Sequence, residues 1–364
     1  MGLYNEYSEK GKNNIKTSKN DFIDSIGEEE TKEIIKNVFM GGNVRDITEF
    51  ITQYRLLFSY GSMLDLFFKD VSKVNEEIEI YSDNIVSDLK SASNSTEKLL
   101  PLWLLGLTKK GLDNIVRTEE NINDYEIKFN DTINDAIKSL EKEYGELKGT
   151  ILLEDRKIDI SWKTISRIMV AIGAQTLSIR GSAKSMNGKL FEKLVLGSLL
   201  TILGFEYCPE PTETFDTNKK IFWLSHMDEN ERETDATIVY NKKAVSIDIG
   251  FIGRGNPEIS LDKVTRFGAY KRIGGINHEM STVIIVDTVG QNSDLFNKAN
   301  RVGGKVLQMK NKNWIYEFSS IISEKFDIED KLKNITEDEL EQFLDNEFKN
   351  ICIYDFVNKK SDND

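Results

Sequence analysis

The chain has 364 residues, a length that suits about two domains, and its 39% hydrophobic and 30% charged residues predict a globular protein with a sizeable core. Its net charge of −13 is the wrong sign for a protein that coats nucleic acid nonspecifically, so any DNA contact must depend on local positive charge. The sequence contains neither a run of about 18 apolar residues nor an apolar N-terminal signal, so we expect a cytoplasmic protein without a membrane span.

The cysteines and histidines are too few and too scattered for a structural zinc site. The chain contains Cys208, Cys352, His226 and His278, whereas such a site needs four nitrogen or sulfur ligands at close spacing. The same scatter argues against a metal nuclease of the His-Asn-His type.

Residues 28–148 show apolar residues at three- and four-residue spacing and predict an acidic, all-helical region. The run 46–58 is its clearest amphipathic stretch. We therefore predict an N-terminal helical module over residues 1–155, which serves in dimerisation, in clamping DNA or only as a scaffold.

A mixed β-sheet flanked by helices is predicted over residues 156–326. The pattern indicates helix over 158–175 and again from 188 to 203, strands at 220–225, 282–287 and 305–309, a hairpin at 235–251, and helices at 262–272 and 314–326. Residues 327–364 predict an acidic helical C-terminal tail at the periphery. The fold class is therefore a mixed α/β or α+β core behind an all-helical module.

Two carboxylates in the predicted hairpin stand out because they interrupt a buried pattern. Asp235 opens its first strand, and Asp248 lies in the second, among apolar residues. A carboxylate in such a strand is unfavourable unless it is paired or binds a metal, and two side by side repel unless a cation lies between them. Mg²⁺ accepts carboxylate and phosphate oxygens as ligands. The hairpin therefore predicts a magnesium-dependent site for cutting phosphodiesters.

Positive charge is concentrated near this hairpin, despite the acidic total. Residues 254–272 carry five basic residues against two acids, residues 298–312 carry five against none, and residues 180–193 carry four against Glu192 alone. Their coincidence predicts a DNA-binding surface around the two carboxylates.

The order of elements from residue 188 to 309 resembles the PD-(D/E)XK nuclease core, also called the restriction-endonuclease-like fold. Within it, the phrases RGSAKSMNGKLFEKLVLGSLLTILGF and DIGFIGRGNPEISLDKVTRF resemble the CfrBI-type restriction endonucleases. The resemblance implies a sequence-specific type II endonuclease that cuts double-stranded DNA with Mg²⁺ and leaves 5′-phosphate and 3′-hydroxyl ends. It also implies a methyltransferase that is encoded nearby and need not bind.

The resemblance assigns roles by position. Asp235 and Asp248 match the acids of the motif and Glu192 matches its helix-borne acid, so these three are the predicted metal ligands. The motif's lysine is missing, because Gly250 stands in its place. Lys263 is our candidate for its catalytic role, and a contact to the DNA backbone is the alternative.

DNA recognition is expected from basic and amide side chains. Arg254 and Asn256 suit guanine and adenine edges, respectively, and a symmetric target would require a two-fold homodimer. The predicted DNA-binding residues are Arg180, Lys184, Lys189, Arg254, Asn256, Arg266 and Lys305.

Two other functions remain open from the sequence. One is a DNA-binding or interaction module on a nuclease-like fold that has lost catalysis with its lysine. The other is a nucleotide-binding α/β enzyme, because Gly250, Gly253 and Gly255 follow a strand and precede a predicted helix. Their spacing is the reverse of the dinucleotide fingerprint, which argues against it.

Overall fold

A computed structural model describes residues 3–15, 18–71, 85–115, 119–209, 216, 218–225, 234–251, 270–273, 276–289, 296–297, 299 and 304–357. The chain forms two compact units, one of Met1–Thr17 with Glu49–Ser185 and the other of Ser18–Thr48 with Met186–Asp364. In the part of the chain just given, no helix is both long and apolar enough to cross a membrane.

The helices, in chain order, are α1 (Leu3–Glu6), α2 (Glu9–Ile15), α3 (Lys19–Ile26), α4 (Glu28–Phe39), α5 (Val44–Val71), α6 (Ile85–Ser91), α7 (Leu99–Leu104), α8 (Lys109–Ile115), α9 (Glu119–Tyr144), α10 (Trp162–Ile202), α11 (Trp314–Phe326) and α12 (Glu337–Phe348). The strands are β1 (Gly149–Leu153), β2 (Arg156–Ile160), β3 (Glu206–Tyr207), β4 (Ile221–Leu224), β5 (Ala236–Tyr240), β6 (Lys243–Gly250), β7 (Tyr270–Ile273), β8 (Ile276–Val286) and β9 (Lys305–Gln308).

The first unit is mainly helical and packs around α7. Trp103 of α7 is 1% exposed, and its indole Nε1 donates a 2.9 Å hydrogen bond to Ser178 Oγ of α10. The strands β1 and β2 form an antiparallel hairpin in this unit. The helix predicted from residue 158 is therefore wrong at its start, because Ile158 lies in β2 and α10 begins only at Trp162.

The second unit is built on a mixed sheet in which the described strands follow the order β3-β4-β5-β6-β8-β7, with β9 also paired to β8. Strand β8 runs parallel to β6 and β9 and antiparallel to β7. The predicted strands at 220–225, 282–287 and 305–309, the hairpin at 235–251 and the helix at 314–326 are confirmed. The helix predicted to reach residue 272 is wrong at its end, because β7 occupies Tyr270–Ile273.

The two faces of β6 differ in polarity. Val245, Ile247 and Ile249 alternate with Ser246 and Asp248, and all five are nearly or fully buried. Since alternate residues of a strand point to opposite faces, the apolar three face one layer of the protein and the polar two face the other. Because buried polar groups are unfavourable without a partner, the face that carries Ser246 and Asp248 must also hold hydrogen-bonding or charged groups.

The acidic C-terminal segment is integral to the second unit rather than peripheral. Phe348, Ile353 and Phe356 are at most 4% exposed, and the Phe356 ring lies where a side chain on Gly197 of α10 would stand. The predicted helix exists as α12, but its many charged residues led to the wrong prediction that it is peripheral. Its other side is apolar and packs into the core.

Candidate active site

The hairpin of β5 and β6 brings Asp235 and Asp248 to the same place on the sheet. Ala236 pairs with Ile247, so the register continues to place Asp235 opposite Asp248. The register holds on the other side too, because the Ser225 N–H donates to the Asp235 carbonyl at 3.0 Å. Residues opposite one another in an antiparallel pair share a face, with Cβ atoms about 5 Å apart. The two carboxylates therefore lie side by side.

A backbone hydrogen bond orients the first of these carboxylates. The Ile249 N–H donates to Asp235 Oδ2 at 2.8 Å, which holds the Asp235 side chain against the backbone next to Asp248. Asp235 is half-buried, whereas Asp248 is 1% exposed. Asp248 is thus held in the protein interior, and Asp235 lies where the interior meets solvent.

A row of hydroxyl side chains lies beside the carboxylate pair. Thr237, Ser246 and Thr282 are paired in register across β5, β6 and β8, two positions from the carboxylates and on the same face of the sheet. All three are buried, and Thr234 Oγ1 lies 3.1 Å from Thr237 Oγ1. Hydroxyl oxygen atoms are therefore available next to the two carboxylates.

The donor set of this face fits a hard divalent cation. Asp235 and Asp248 supply carboxylate oxygens, which Mg²⁺ binds in preference to softer ligands, and it usually keeps several waters rather than an all-protein cage. Among the residues described, no group of three or more His, Cys, Asp or Glu side chains forms a complete metal cluster. The structure thus brings Asp235 and Asp248 together without placing Glu192 in one cluster with them.

Glu192 lies instead beside a lysine that sequence reasoning missed. Burial and, second, the positive charge of Lys189 hold the pKa of Lys19 below its usual range, while the negative charge of Glu192 opposes this shift. The helix that carries Lys19 packs on α10 through the rings of Phe22 and Phe191, whose centroids are 6.3 Å apart. No local pattern could have indicated Lys19, because the two helices are far apart in the sequence.

Comparison with known proteins identifies the family. The family model described as CfrBI restriction endonuclease matches residues 28–294. The chain is also 38% identical over 348 residues to the type II restriction enzyme CfrBI of Citrobacter freundii, covering 94% of this chain and 95% of that enzyme. The chain belongs to the CfrBI restriction endonuclease family. No solved structure gives a significant match.

Membership in the CfrBI family makes the chain a type II restriction enzyme, a site-specific deoxyribonuclease. The predicted function is therefore confirmed at this level, over the two alternatives left open by the sequence. The matched range includes Glu192, Asp235 and Asp248, and the individual roles of these residues in the CfrBI-type enzyme stay predictions.

The predicted DNA-contacting residues of this CfrBI-family enzyme fall into two groups. Lys184, Lys189 and Lys305 are exposed, and Arg180 is exposed but pairs with Glu49 at 2.9 Å. The candidates Arg254, Asn256, Lys263 and Arg266 lie outside the described residues.

Proposed function

We propose that Asp235 and Asp248 form the magnesium-binding centre at which this restriction enzyme hydrolyses phosphodiester bonds in double-stranded DNA. The observation that supports this most directly is the hydrogen bond from the Ile249 N–H to Asp235 Oδ2, which holds one carboxylate opposite the other. The backbone carbonyl of Ile249 is the proposed third ligand, and Glu192 orients a water or completes a second metal position. The products are 5′-phosphate and 3′-hydroxyl ends.

When bound, Mg²⁺ polarises a phosphate oxygen and lowers the pKa of a water molecule. The chain's own residues set the conditions for that chemistry. Burial of Asp248 excludes bulk water, which strengthens electrostatic interactions at the site. The Ile249 N–H fixes the orientation of Asp235 before substrate arrives, so no reorganisation is needed during the reaction. Lys263 supplies the positive charge that offsets charge on the scissile phosphate, in place of the lysine absent at Gly250.

The fold we propose for the second unit is the restriction-endonuclease-like fold. Three observations support it: an acid on a long helix, an antiparallel hairpin that carries the two aspartates, and a following strand, β8, parallel to β6. Within this fold, Arg254 and Asn256 read base edges, and the proposed basic contacts Lys184, Lys189, Arg266 and Lys305 neutralise DNA phosphates. Arg180 is already paired with Glu49. A homodimer places one such centre on each strand of a symmetric target.

Plasmid cleavage tests the centre. Asp235→Asn and Asp248→Asn are each expected to reduce Mg²⁺-dependent cleavage at least about 1,000-fold, since each removes a ligand charge where phosphate charge must be stabilised. The matched control is Asp338→Asn, an exposed aspartate of α12, which should cut like the wild type. Near-normal cutting by either site variant, with circular dichroism verifying the fold, would remove that residue from the centre.

A further inference from the structure

Helix α5 exposes more apolar surface than is usual for a helix on the surface of a monomer. Its outward residues are Phe50, Tyr54, Leu57 and Phe58, which are 78%, 64%, 66% and 38% exposed. Its buried residues are of both kinds. Thr48, Thr52, Arg55, Ser59 and Ser62 are buried, and so are the apolar residues Leu56, Met63, Leu66, Phe67 and Phe68. A surface helix normally buries its apolar stripe and exposes its polar one. The outward side of α5 therefore has the composition of an interior surface.

Helix α10 extends this apolar surface alongside α5. Tyr60 Oη lies 2.8 Å from Thr176 Oγ1, and Arg180 pairs with Glu49 at 2.9 Å, so the two helices run antiparallel over this stretch. Between these two contacts α10 exposes Leu177, which is 68% accessible.

Glycines leave depressions beside these bulky side chains. Gly173 and Gly181 lie one helical turn on either side of Leu177, and Gly61 follows Phe58 on α5. A Cβ built on any of the three would meet nothing within 4 Å. Bulky side chains and open glycine positions thus alternate along these two helices, as they do where two copies of one helix pack against each other.

We propose that this surface, the α5–α10 face, binds a second copy of the chain across a two-fold axis. The face consists of Phe50, Tyr54, Leu57, Phe58, Gly61, Gly173, Leu177 and Gly181. This proposal rests on the proposed function only where it connects the dimer with cutting both DNA strands. The face itself does not include the carboxylate centre.

The exposed area of the face suits a dimer. Its aromatic and leucine side chains leave roughly 600–700 Å² accessible per copy, judged from the usual areas of such residues. A standard interface buries about 800 Å² per partner, so polar residues around the face need to contribute only the remaining area. Patches of this size are uncommon on monomers and mark interaction sites.

Charge favours a protein partner over DNA. Among the described residues, the pair Glu49–Arg180 lies at the edge of the face and is internally neutralised, and Lys10 lies over the Phe58 ring at 5.7 Å. Binding a DNA backbone needs several cations that remain available to phosphate. A two-fold partner needs none, because Leu177 of each copy enters the depression at the glycines of the other.

Sedimentation equilibrium of the full-length protein tests the proposal. The wild type should be a dimer at low micromolar concentration, and Leu57→Glu or Leu177→Glu should weaken dimerisation at least about 100-fold, because each places a charge in the apolar contact. The matched control is Leu152→Glu in β1, since Leu152 is 70% exposed and lies outside the face. It should leave the dimer unchanged.

An uncharged variant of the face controls for misfolding of the two glutamate variants. Gly173→Leu fills a depression at an exposed helical position that has room for the side chain, so the monomer should fold while the dimer weakens. A wild-type monomer, or dimerisation by all three face variants as strong as that of the wild type, would overturn the proposal. Asp248→Asn should remain dimeric, so loss of cleavage alone would count against the catalytic centre and not against this face.

Discussion

The two carboxylates should make the metal-free enzyme less stable than its own Asp248→Asn variant. If the two charges are separated by about the 5 Å typical of opposite Cβ atoms, they repel by roughly 3 kcal/mol at an effective dielectric constant near 20. Asparagine has the same shape without the charge. Because Asp248 is 1% exposed and opposite Asp235, we expect the substitution to raise the free energy of unfolding by about 1–3 kcal/mol in EDTA, the lower value allowing for altered hydrogen bonding.

Magnesium should reduce this difference, because it binds the wild type much more tightly than the variant. A ligand present at ten times its dissociation constant stabilises the native state by about 1.4 kcal/mol. The wild type should therefore gain free energy of unfolding with increasing Mg²⁺, and Asp248→Asn should gain little. Urea unfolding followed by circular dichroism, in EDTA and across a MgCl₂ series, measures both effects without cleavage or DNA.

The control and the refuting result are equally specific. Asp338→Asn removes an exposed aspartate and should follow the wild type at every Mg²⁺ concentration. If Asp248→Asn is no more stable than the wild type in EDTA, the carboxylates do not repel as we argue. If Mg²⁺ stabilises both proteins equally, the ion binds elsewhere.

Two further predictions concern the attachment of the C-terminal segment to the second unit. Gly197→Ala should lower the free energy of unfolding by about 1–3 kcal/mol, because the Phe356 ring occupies the place of the new methyl group. Gly188→Ala, at a helical position with open space, should instead raise the free energy of unfolding by up to about 1 kcal/mol. If urea unfolding shows changes of the same sign for both variants, the packing of Phe356 on Gly197 is contradicted. Lys36→Ala should lower the free energy of unfolding by about 1–2 kcal/mol, because buried Lys36 pairs with Asp345 of α12; a double-mutant cycle with Asp345→Ala that shows no coupling would contradict the link.

The hairpin of β5 and β6 was predictable because several local signals agree there. Both strands are rich in apolar residues, and Asn241–Lys242 provides a bend between them. Asp235 and Asp248 stood out only against that apolar background. The sequence could not show that the Ile249 N–H binds Asp235, since this depends on where β5 begins.

Other elements were mispredicted for identifiable reasons. Strand β2 has five residues, too few for its alternation to outweigh the helical pattern that follows it. Two helices were predicted, at 158–175 and 188–203, yet α10 continues between them through Gly181 and Gly188, because open glycines cost a helix only about 1 kcal/mol each. For α5, the spacing predicted an amphipathic helix without showing which side is buried.

The turn that joins β5 to β6 limits how relatives of this enzyme can differ from it in sequence. Asn241 and Lys242 both have positive φ, +49° and +61°, as a two-residue type I′ turn requires. Adding or deleting a single residue there would shift the strand pairing by one position and turn Asp248 towards the opposite layer. Relatives that keep this centre should therefore keep two residues in this turn, and should have residues that tolerate positive φ at both positions.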